Sequence, residues 1–174
     1  MTKQKIEPRA EQILRETETY RVPVPIDLLA ARLKLKTEAA VLADNISGML
    51  VVEDERGAIG YNSAHAVVRQ RFTMAHEIAH YILHLKKNLQ SQLFIDRSVV
   101  FRRDDHSSTG NDSEEVEANR FGAALLMPEG LLREEIKKHD LDLDDEEALS
   151  FLARRFHVSL AAMTNRLTNL ELLR

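Results

Sequence analysis

The sequence predicts an α+β domain that is mainly helical and contains a small antiparallel sheet. Apolar residues recur at helical spacing over most of the chain, whereas residues 36–62 carry the pattern of a β-hairpin. The predicted order of elements is α-α-β-β-α-β-α-α-α-α, which is typical of the α+β class. With 174 residues, 44% of them hydrophobic, the chain can bury a core of its own.

The first third of the chain is predicted to form two helices and the hairpin. Pro8 is expected to open the first helix, since proline is favoured in a first helical turn. The prolines at positions 23 and 25 make the next segment extended. The predicted elements are helices at residues 8–20 and 28–33, and hairpin strands at residues 49–52 and 58–61 around a turn at residues 54–57.

The rest of the chain is predicted to be helical apart from one strand and one polar segment. A long helix follows the hairpin because neither glycine nor proline occurs between residues 64 and 92. Ser113 and Ser159 are candidate N-caps, since a serine hydroxyl accepts hydrogen bonds from the free N–H groups of a first turn. The later predicted elements are a strand at residues 98–101, a polar and mobile segment at residues 102–112, and helices at residues 113–127, 131–138, 146–156 and 160–172.

Composition and charge exclude several classes of protein. The chain has no cysteine, so it contains neither disulfides nor a cysteine-ligated zinc site. The net charge of −4 provides no general basic field for nucleic acid. The first residues lack the apolar segment of a secretion signal, and no apolar run reaches the roughly 20 residues that a membrane helix needs. We therefore expect a cytoplasmic protein with no membrane association.

Residues 76–80 read His-Glu-Ile-Ala-His and form the most informative motif of the chain. Residues four apart lie on one face of a helix, so His76 and His80 can direct their imidazoles at one Zn²⁺. Glu77 follows the first ligand and is expected to act as general base toward a water on the same metal. Such five-residue motifs also occur by chance. Here, however, apolar residues surround the motif at helical spacing and supply the buried face that a metal-binding helix requires.

A catalytic zinc site usually has three protein ligands, so the motif requires a third. Position 86 is lysine, which excludes a third histidine six residues after His80. A carboxylate from a later helix is the alternative, and the candidates are Glu114, Glu115 and Glu117. The apolar face of that helix places Glu115 at its edge and Glu117 further round, but periodicity leaves Glu114 open as well.

Two segments of the chain carry a family resemblance: Arg-Phe-Thr-Met-Ala-His-Glu-Ile-Ala-His at residues 71–80 and Glu-Val-Glu-Ala-Asn-Arg-Phe-Gly-Ala-Ala-Leu-Leu-Met-Pro at residues 115–128. Together they resemble the ImmA/IrrE family of bacterial metallopeptidases. The resemblance covers residues 10–135 and implies a zincin-like fold with Glu115 as the third metal ligand. It also implies that Asn119 contacts Glu115 without binding the metal itself. One departure is Gly122, where the family usually has alanine, and we expect little effect on the chemistry.

The resemblance implies a zinc-dependent endopeptidase with a narrow substrate, a helix-turn-helix repressor of the Xre type. Cleavage of such a repressor would derepress stress, phage or mobile-element genes. The alternative is a binding module that contains the metal without turnover and sequesters a repressor or a partner from a toxin–antitoxin-like pair. Zn²⁺ is the expected metal, and Mn²⁺ or Fe²⁺ also suits two histidines and a glutamate.

The C-terminal part of the chain has a different character. We predict a metallopeptidase domain at residues 1–140 and, at residues 141–174, a helix-turn-helix-like pair that packs on the same domain. Asn165, Arg166 and Asn169 could face DNA, but the acidic residues before the pair would repel phosphate. We therefore expect a structural support or a docking surface for a partner protein, and no direct DNA binding.

Two further features lie close to the motifs in sequence. His84 continues the histidine stripe, four residues after His80. A fourth protein ligand would close the site and exclude the catalytic water, so we expect His84 at the rim of the site or behind its ligands. The polar segment at residues 102–112, which separates the two motifs, is a candidate gate for the cleft.

Overall fold

Seven α-helices and a four-stranded sheet form the described part of the chain. The structure is a computed structural model, and it describes residues 3–53, 56–85, 92–97 and 111–173. The helices are α1 (Lys3–Glu16), α2 (Ile26–Arg32), α3 (Val67–His80), α4 (Asn111–Leu126), α5 (Glu129–Lys138), α6 (Glu146–Phe156) and α7 (Leu160–Asn169). The strands are β1 (Leu35–Ala40), β2 (Ile46–Glu53), β3 (Arg56–Asn62) and β4 (Gln92–Arg97), and a π-helical turn, Tyr81–Leu85, continues α3. None of these helices is long and apolar enough to cross a membrane.

The predicted fold class, α+β and mainly helical, is confirmed, and the sheet has the strand order β1-β3-β2-β4. β2 and β3 form the predicted antiparallel hairpin, with Leu50 opposite Ile59, and β4 pairs antiparallel with the other side of β2. β1 pairs in parallel with β3, so the sheet is mixed rather than wholly antiparallel. The sequence does not predict β1, because Leu35 is the one buried residue of this strand and no alternation of apolar and polar residues marks it.

The first helix starts earlier than the sequence predicts. α1 begins at Lys3, and Pro8 lies inside the helix rather than at its start. The side chain of Ile6 accounts for the difference, since it is 2% exposed and lies in the core one turn before Ala10. Burial of an isoleucine side chain stabilises the fold by about 1.5–3 kcal/mol, which offsets much of the cost of a proline inside the helix.

The boundaries of the later helices agree with the sequence to within a few residues. The N-cap at Ser159 is confirmed, because its hydroxyl accepts a hydrogen bond of 3.1 Å from the backbone N–H of Ala162. The N-cap predicted at Ser113 is wrong, because α4 already begins at Asn111. Ser113 therefore lies within the first turn of α4 and not before it. The strand predicted at residues 98–101 and all but the end of the candidate gate lie outside the described residues.

One apolar core joins the layers of the fold. α3 packs against the sheet on one side and against α4 on the other, and its residues from Thr73 to His80 are all buried. The hairpin contributes Leu50 and Ile59 to this core, and α4 contributes Phe121 and Leu125. The metal motif therefore lies on the buried half of a helix that packs against both the sheet and α4.

The C-terminal helices pack on the same core. Leu152 of α6 and Leu167 of α7 are fully buried in it. Arg166 is 5% exposed and is engaged inside the protein, because both terminal nitrogens of its guanidinium donate to the carboxylate of Glu7 and its Nε donates to the carbonyl of Met127. In this structure the side chain of Arg166 is thus not available to a DNA phosphate. The division of the chain at residue 140 stays a prediction.

Candidate metal centre

The second half of α3 presents His76, Glu77 and His80 to one side of the core. The start of the helix is held by Arg71, which donates hydrogen bonds of 2.9 and 3.2 Å to carbonyls of the loop before α2 and of the turn between α6 and α7. His76 and His80 are 4% and 3% exposed, and their Nε2 atoms lie 3.0 Å apart. The spacing of four residues therefore brings the two imidazoles together, as the sequence predicts.

The first turns of α4 bring a carboxylate to the same point. Oε2 of Glu115 lies 3.2 Å from Nε2 of His76, and Oε1 lies 3.1 Å from Nε2 of His80. Hydrogen bonds from the two imidazoles hold the pKa of Glu115 well below its ordinary range, although partial burial acts in the opposite direction. Of the three candidate glutamates, Glu115 is thus the one that the structure brings to the two histidines, and its carboxylate is ionised.

The spacing of these three side chains fits a tetrahedral metal ion. A Zn²⁺ ion with bonds of about 2.0–2.1 Å separates its ligand atoms by about 3.3 Å. The donor atoms of His76, His80 and Glu115 form a triangle with edges of 3.0, 3.1 and 3.2 Å. Without a metal, each imidazole could donate a hydrogen bond from Nε2 to the carboxylate of Glu115. The two Nε2–H groups would then face each other at 3.0 Å, and two N–H groups cannot form a hydrogen bond with each other. A metal cation could instead be bound by all three atoms. Two imidazoles with one carboxylate are a set of ligands that Zn²⁺ has in hydrolytic sites.

The metal triangle depends on a close crossing of α3 and α4. A Cβ atom at Gly122 would lie 3.2 Å from the carbonyl carbon and oxygen of Ala75 and from the backbone nitrogen of His76. The two helices therefore meet at backbone distance, about two turns along α4 from Glu115. This crossing brings α4 close enough to α3 for a glutamate side chain to reach both histidines.

Glu77 lies next to β2 of the sheet. Its side chain is 1% exposed. A Cβ atom at Gly48 of β2 would overlap Cγ2 of Thr73 on α3 and come 3.0 Å from the carbonyl oxygen of Gly60, whereas Oε1 of Glu77 would be in ordinary contact at 3.5 Å. Gly48 was not singled out in the sequence, although a glycine inside a strand is a known sign of a close approach by another group. The absence of a side chain at Gly48 therefore leaves room for the methyl group of Thr73, and α3 packs closely on β2 beside Glu77.

The comparison with protein families gives one result. The chain matches the Peptidase_M78 family, described as the IrrE N-terminal-like domain, over residues 24–168. The chain belongs to this family. Membership of Peptidase_M78 confirms the resemblance to ImmA/IrrE proteins and supports a metallopeptidase, and the His76, His80 and Glu115 triangle makes a metal plausible on independent geometric grounds. No curated protein matches the chain.

Asn119 and His84, which were also singled out in the sequence of this Peptidase_M78 domain, lie on α4 and on the continuation of α3. Asn119 lies one turn after Glu115 on α4 and is partly buried, and its role in supporting Glu115 stays a prediction. His84 lies in the π-helical turn, with its ring centroid 5.5 Å from that of His80. Asn62, at the end of β3, has a structural role, because its amide nitrogen donates to the carbonyls of Leu42, Ala43 and Ile46 and its oxygen accepts from the N–H of Ala64.

Proposed function

We propose that the protein is a zinc-dependent endopeptidase. The observation that carries this proposal is the triangle of His76, His80 and Glu115 beside the buried Glu77. When bound to this triangle, Zn²⁺ would act as a Lewis acid toward a peptide carbonyl and lower the pKa of a water. The same donors also suit Mn²⁺ or Fe²⁺.

Glu77 is the proposed general base. Its carboxylate takes a proton from the attacking water and returns it to the amine that leaves when the peptide bond breaks. The packing of α3 between the sheet and α4 fixes this carboxylate relative to the ligands, so little of the catalytic geometry has to be assembled during the reaction. The side chain of Glu115 is 51% exposed, so the centre is open to solvent, and hence to substrate, on the side of α4.

For the substrate we propose a helix-turn-helix repressor of the Xre type, whose cleavage would derepress stress, phage or mobile-element genes. Membership of the IrrE N-terminal-like family supports this proposal. On this proposal the protein acts in the cytoplasm, where such repressors bind DNA. On this proposal, the partner of the protein is another protein and not DNA itself.

The proposal is tested by incubating the purified, zinc-loaded protein with the helix-turn-helix repressor encoded beside it. We expect a discrete cut, located by mass spectrometry, that is absent in Glu77→Gln. This substitution keeps the size of the side chain but removes the proton acceptor, so metal should stay bound. Glu134→Gln on the exposed face of α5 is the matched control and should cleave like the wild type.

The same experiment separates the peptidase from the binding module. A stable complex of repressor and protein with no cut in either form would contradict the peptidase and support sequestration. A cut that persists in Glu77→Gln would contradict the assignment of Glu77 as base. Removal of a general base strongly lowers the rate of cleavage, whereas removal of a spectator carboxylate does not.

A further inference from the structure

Arg69 lies on the same side of α3 as the two histidines of the metal triangle. The helix turns by about 100° per residue, so His76 and His80 each lie within about 20° of Arg69 around the helix axis. One turn after Arg69, the side chain of Thr73 lies against Gly48 of β2. Arg69 is exposed, so its side chain extends into solvent on the side of α3 that carries the metal triangle.

A hydroxyl group of the sheet orients the guanidinium of Arg69. Nη2 of Arg69 donates a hydrogen bond of 3.1 Å to Oγ of Ser47 in β2. Ser47 is 4% exposed and lies at a shift in the register of β2, between Ile46 and Gly48. Irregularities of this kind redirect a side chain and are common next to active sites. The shift therefore places a buried hydroxyl where it holds the guanidinium beside β2.

The two arginines of α3 differ in how they use their donors. Arg71 lies about 160° from Arg69 around the helix and donates to the carbonyls of Val24 and His157, so it joins separate parts of the fold. A guanidinium has five N–H donors. Within the described part of the chain, Arg69 makes the one hydrogen bond to Ser47 and no ion pair. The other donors of Arg69 can therefore serve a ligand that enters from solvent.

The position of Arg69 is unfavourable for the helix itself. α3 begins at Val67, so Arg69 carries a positive charge in the first turn, where the helix dipole is also positive. The first turn contains no acidic residue, and the N-cap residue, Ala66, makes no side-chain hydrogen bond. Such a conflict with the local preferences of a helix is expected at a functional position.

We propose that Arg69 determines substrate specificity by binding the carboxylate of an aspartate or glutamate side chain of the substrate. Guanidinium and carboxylate groups match in geometry and charge. His76 follows Arg69 by seven positions, so the two residues are about 10.5 Å apart along the helix axis. An extended peptide spans this distance with about three residues. The preferred substrate therefore carries an acidic residue about three positions from the bond that is cleaved. The proposal rests on the proposed peptidase function.

A pool of peptides from a proteolytic digest of a bacterial lysate is the probe. The zinc-loaded protein is incubated with the pool, and the cleaved peptides are identified by mass spectrometry and aligned on the broken bond. We expect Asp and Glu to be enriched about three positions from that bond in the wild type. The enrichment should disappear in Arg69→Gln and be replaced by Lys and Arg in Arg69→Glu. Arg120→Gln removes the same charge from an exposed position of α4 and should keep the wild-type preference.

Two further measurements separate recognition from effects on the metal centre. For one cleaved peptide with the acidic residue, kcat/KM should fall about 10-fold in Arg69→Gln, the effect of losing one hydrogen bond to a charged group. The zinc dissociation constant and the thermal midpoint of Arg69→Gln should equal those of the wild type. A loss of zinc affinity in Arg69→Gln would overturn the proposal, because Arg69 would then act through the metal centre.

Retention of the same peptide pool on immobilised, zinc-loaded Glu77→Gln, with and without Arg69→Glu, gives a result that does not require cleavage. The proposal is overturned if cleaved and retained peptides show no acidic preference, or if that preference persists with Arg69→Glu. An acidic preference among retained peptides without any cleavage by the wild type would contradict the proposed peptidase and support recognition by Arg69. Cleavage without this preference would support the peptidase alone. A protein that neither retains nor cleaves a peptide would overturn both.

Discussion

Replacement of Arg166 by methionine should destabilise the protein far more than removal of an exposed arginine. Arg166 is 5% exposed and Glu7 is 15% exposed, so their ion pair is largely shielded from water. The guanidinium donates hydrogen bonds of 2.7 and 2.5 Å to Glu7 and one of 3.0 Å to the carbonyl of Met127. Methionine fills similar space but leaves the carboxylate and the carbonyl without these donors.

The size of the effect follows from the burial of the pair. Removing one partner of a buried ion pair costs about 3–5 kcal/mol, and the partial exposure of Glu7 favours the lower end, about 3 kcal/mol. In a chain of this size each kcal/mol lowers the melting temperature by about 2–4 °C, so we expect a decrease of about 6–12 °C. Arg133→Met is the matched control, because Arg133 pairs with Glu129 on an exposed helix face and should contribute at most about 1 kcal/mol.

Thermal and urea denaturation of wild type, Arg166→Met and Arg133→Met measure the difference. The double variant Glu7→Leu/Arg166→Met should recover much of the stability, because no unpaired charge remains buried. Equal losses in Arg166→Met and Arg133→Met would refute the reasoning. That result would mean that the ion pair does not hold α7 against α1. Arg166 would then again be a candidate for contact with a partner.

Three further substitutions test other parts of the structure. Asn62→Ala should cost about 2–3 kcal/mol in urea denaturation, since it removes buried hydrogen bonds to the loop before β2, while Asn62→Asp should recover only the bond accepted from Ala64. Gly48→Ala should lower the stability measured by urea denaturation, because its Cβ would overlap Cγ2 of Thr73 on α3 and lie 3.0 Å from the carbonyl oxygen of Gly60. A hydrogen bond from Arg155 lowers the pKa of Glu135, so the pair stabilises the fold fully above the ordinary carboxyl pKa of about 4.3 and progressively less as the pH falls. The stability difference between wild type and Glu135→Gln should therefore be largest near pH 7 and shrink toward pH 3, and a difference that grows on acidification would contradict this sign.

The two histidines and Glu77 could be predicted from the sequence because their geometry is local. A spacing of four residues on a helix determines that two side chains share a face, whatever the rest of the fold does. Glu115 could not be selected in this way, since Glu114 lies almost as close to the apolar face of α4. The resemblance to a known family named Glu115, and the crossing at Gly122 explains in physical terms why that glutamate reaches the histidines.

Features that depend on tertiary packing could not be predicted from the sequence. β1 has one buried residue and forms because β3 offers a free edge, so no local pattern predicts it. The early start of α1 depends on the burial of Ile6, which overrides the signal from Pro8. The interpretation of α6 and α7 as a possible DNA reader was open in the sequence, whereas the pairing of Arg166 with Glu7 assigns that arginine to the core.

Zinc titration of the metal-free protein tests whether His76, His80 and Glu115 bind a metal. We expect one tightly bound Zn²⁺ per chain, retained in Glu77→Gln and in the control Glu117→Gln, and weakened at least about 10-fold in Glu115→Gln. Glu115 and Glu117 lie on the same helix and carry the same group, so the comparison isolates the position of the carboxylate. Wild-type affinity in Glu115→Gln, or equal losses in both variants, would contradict the metal centre of His76, His80 and Glu115.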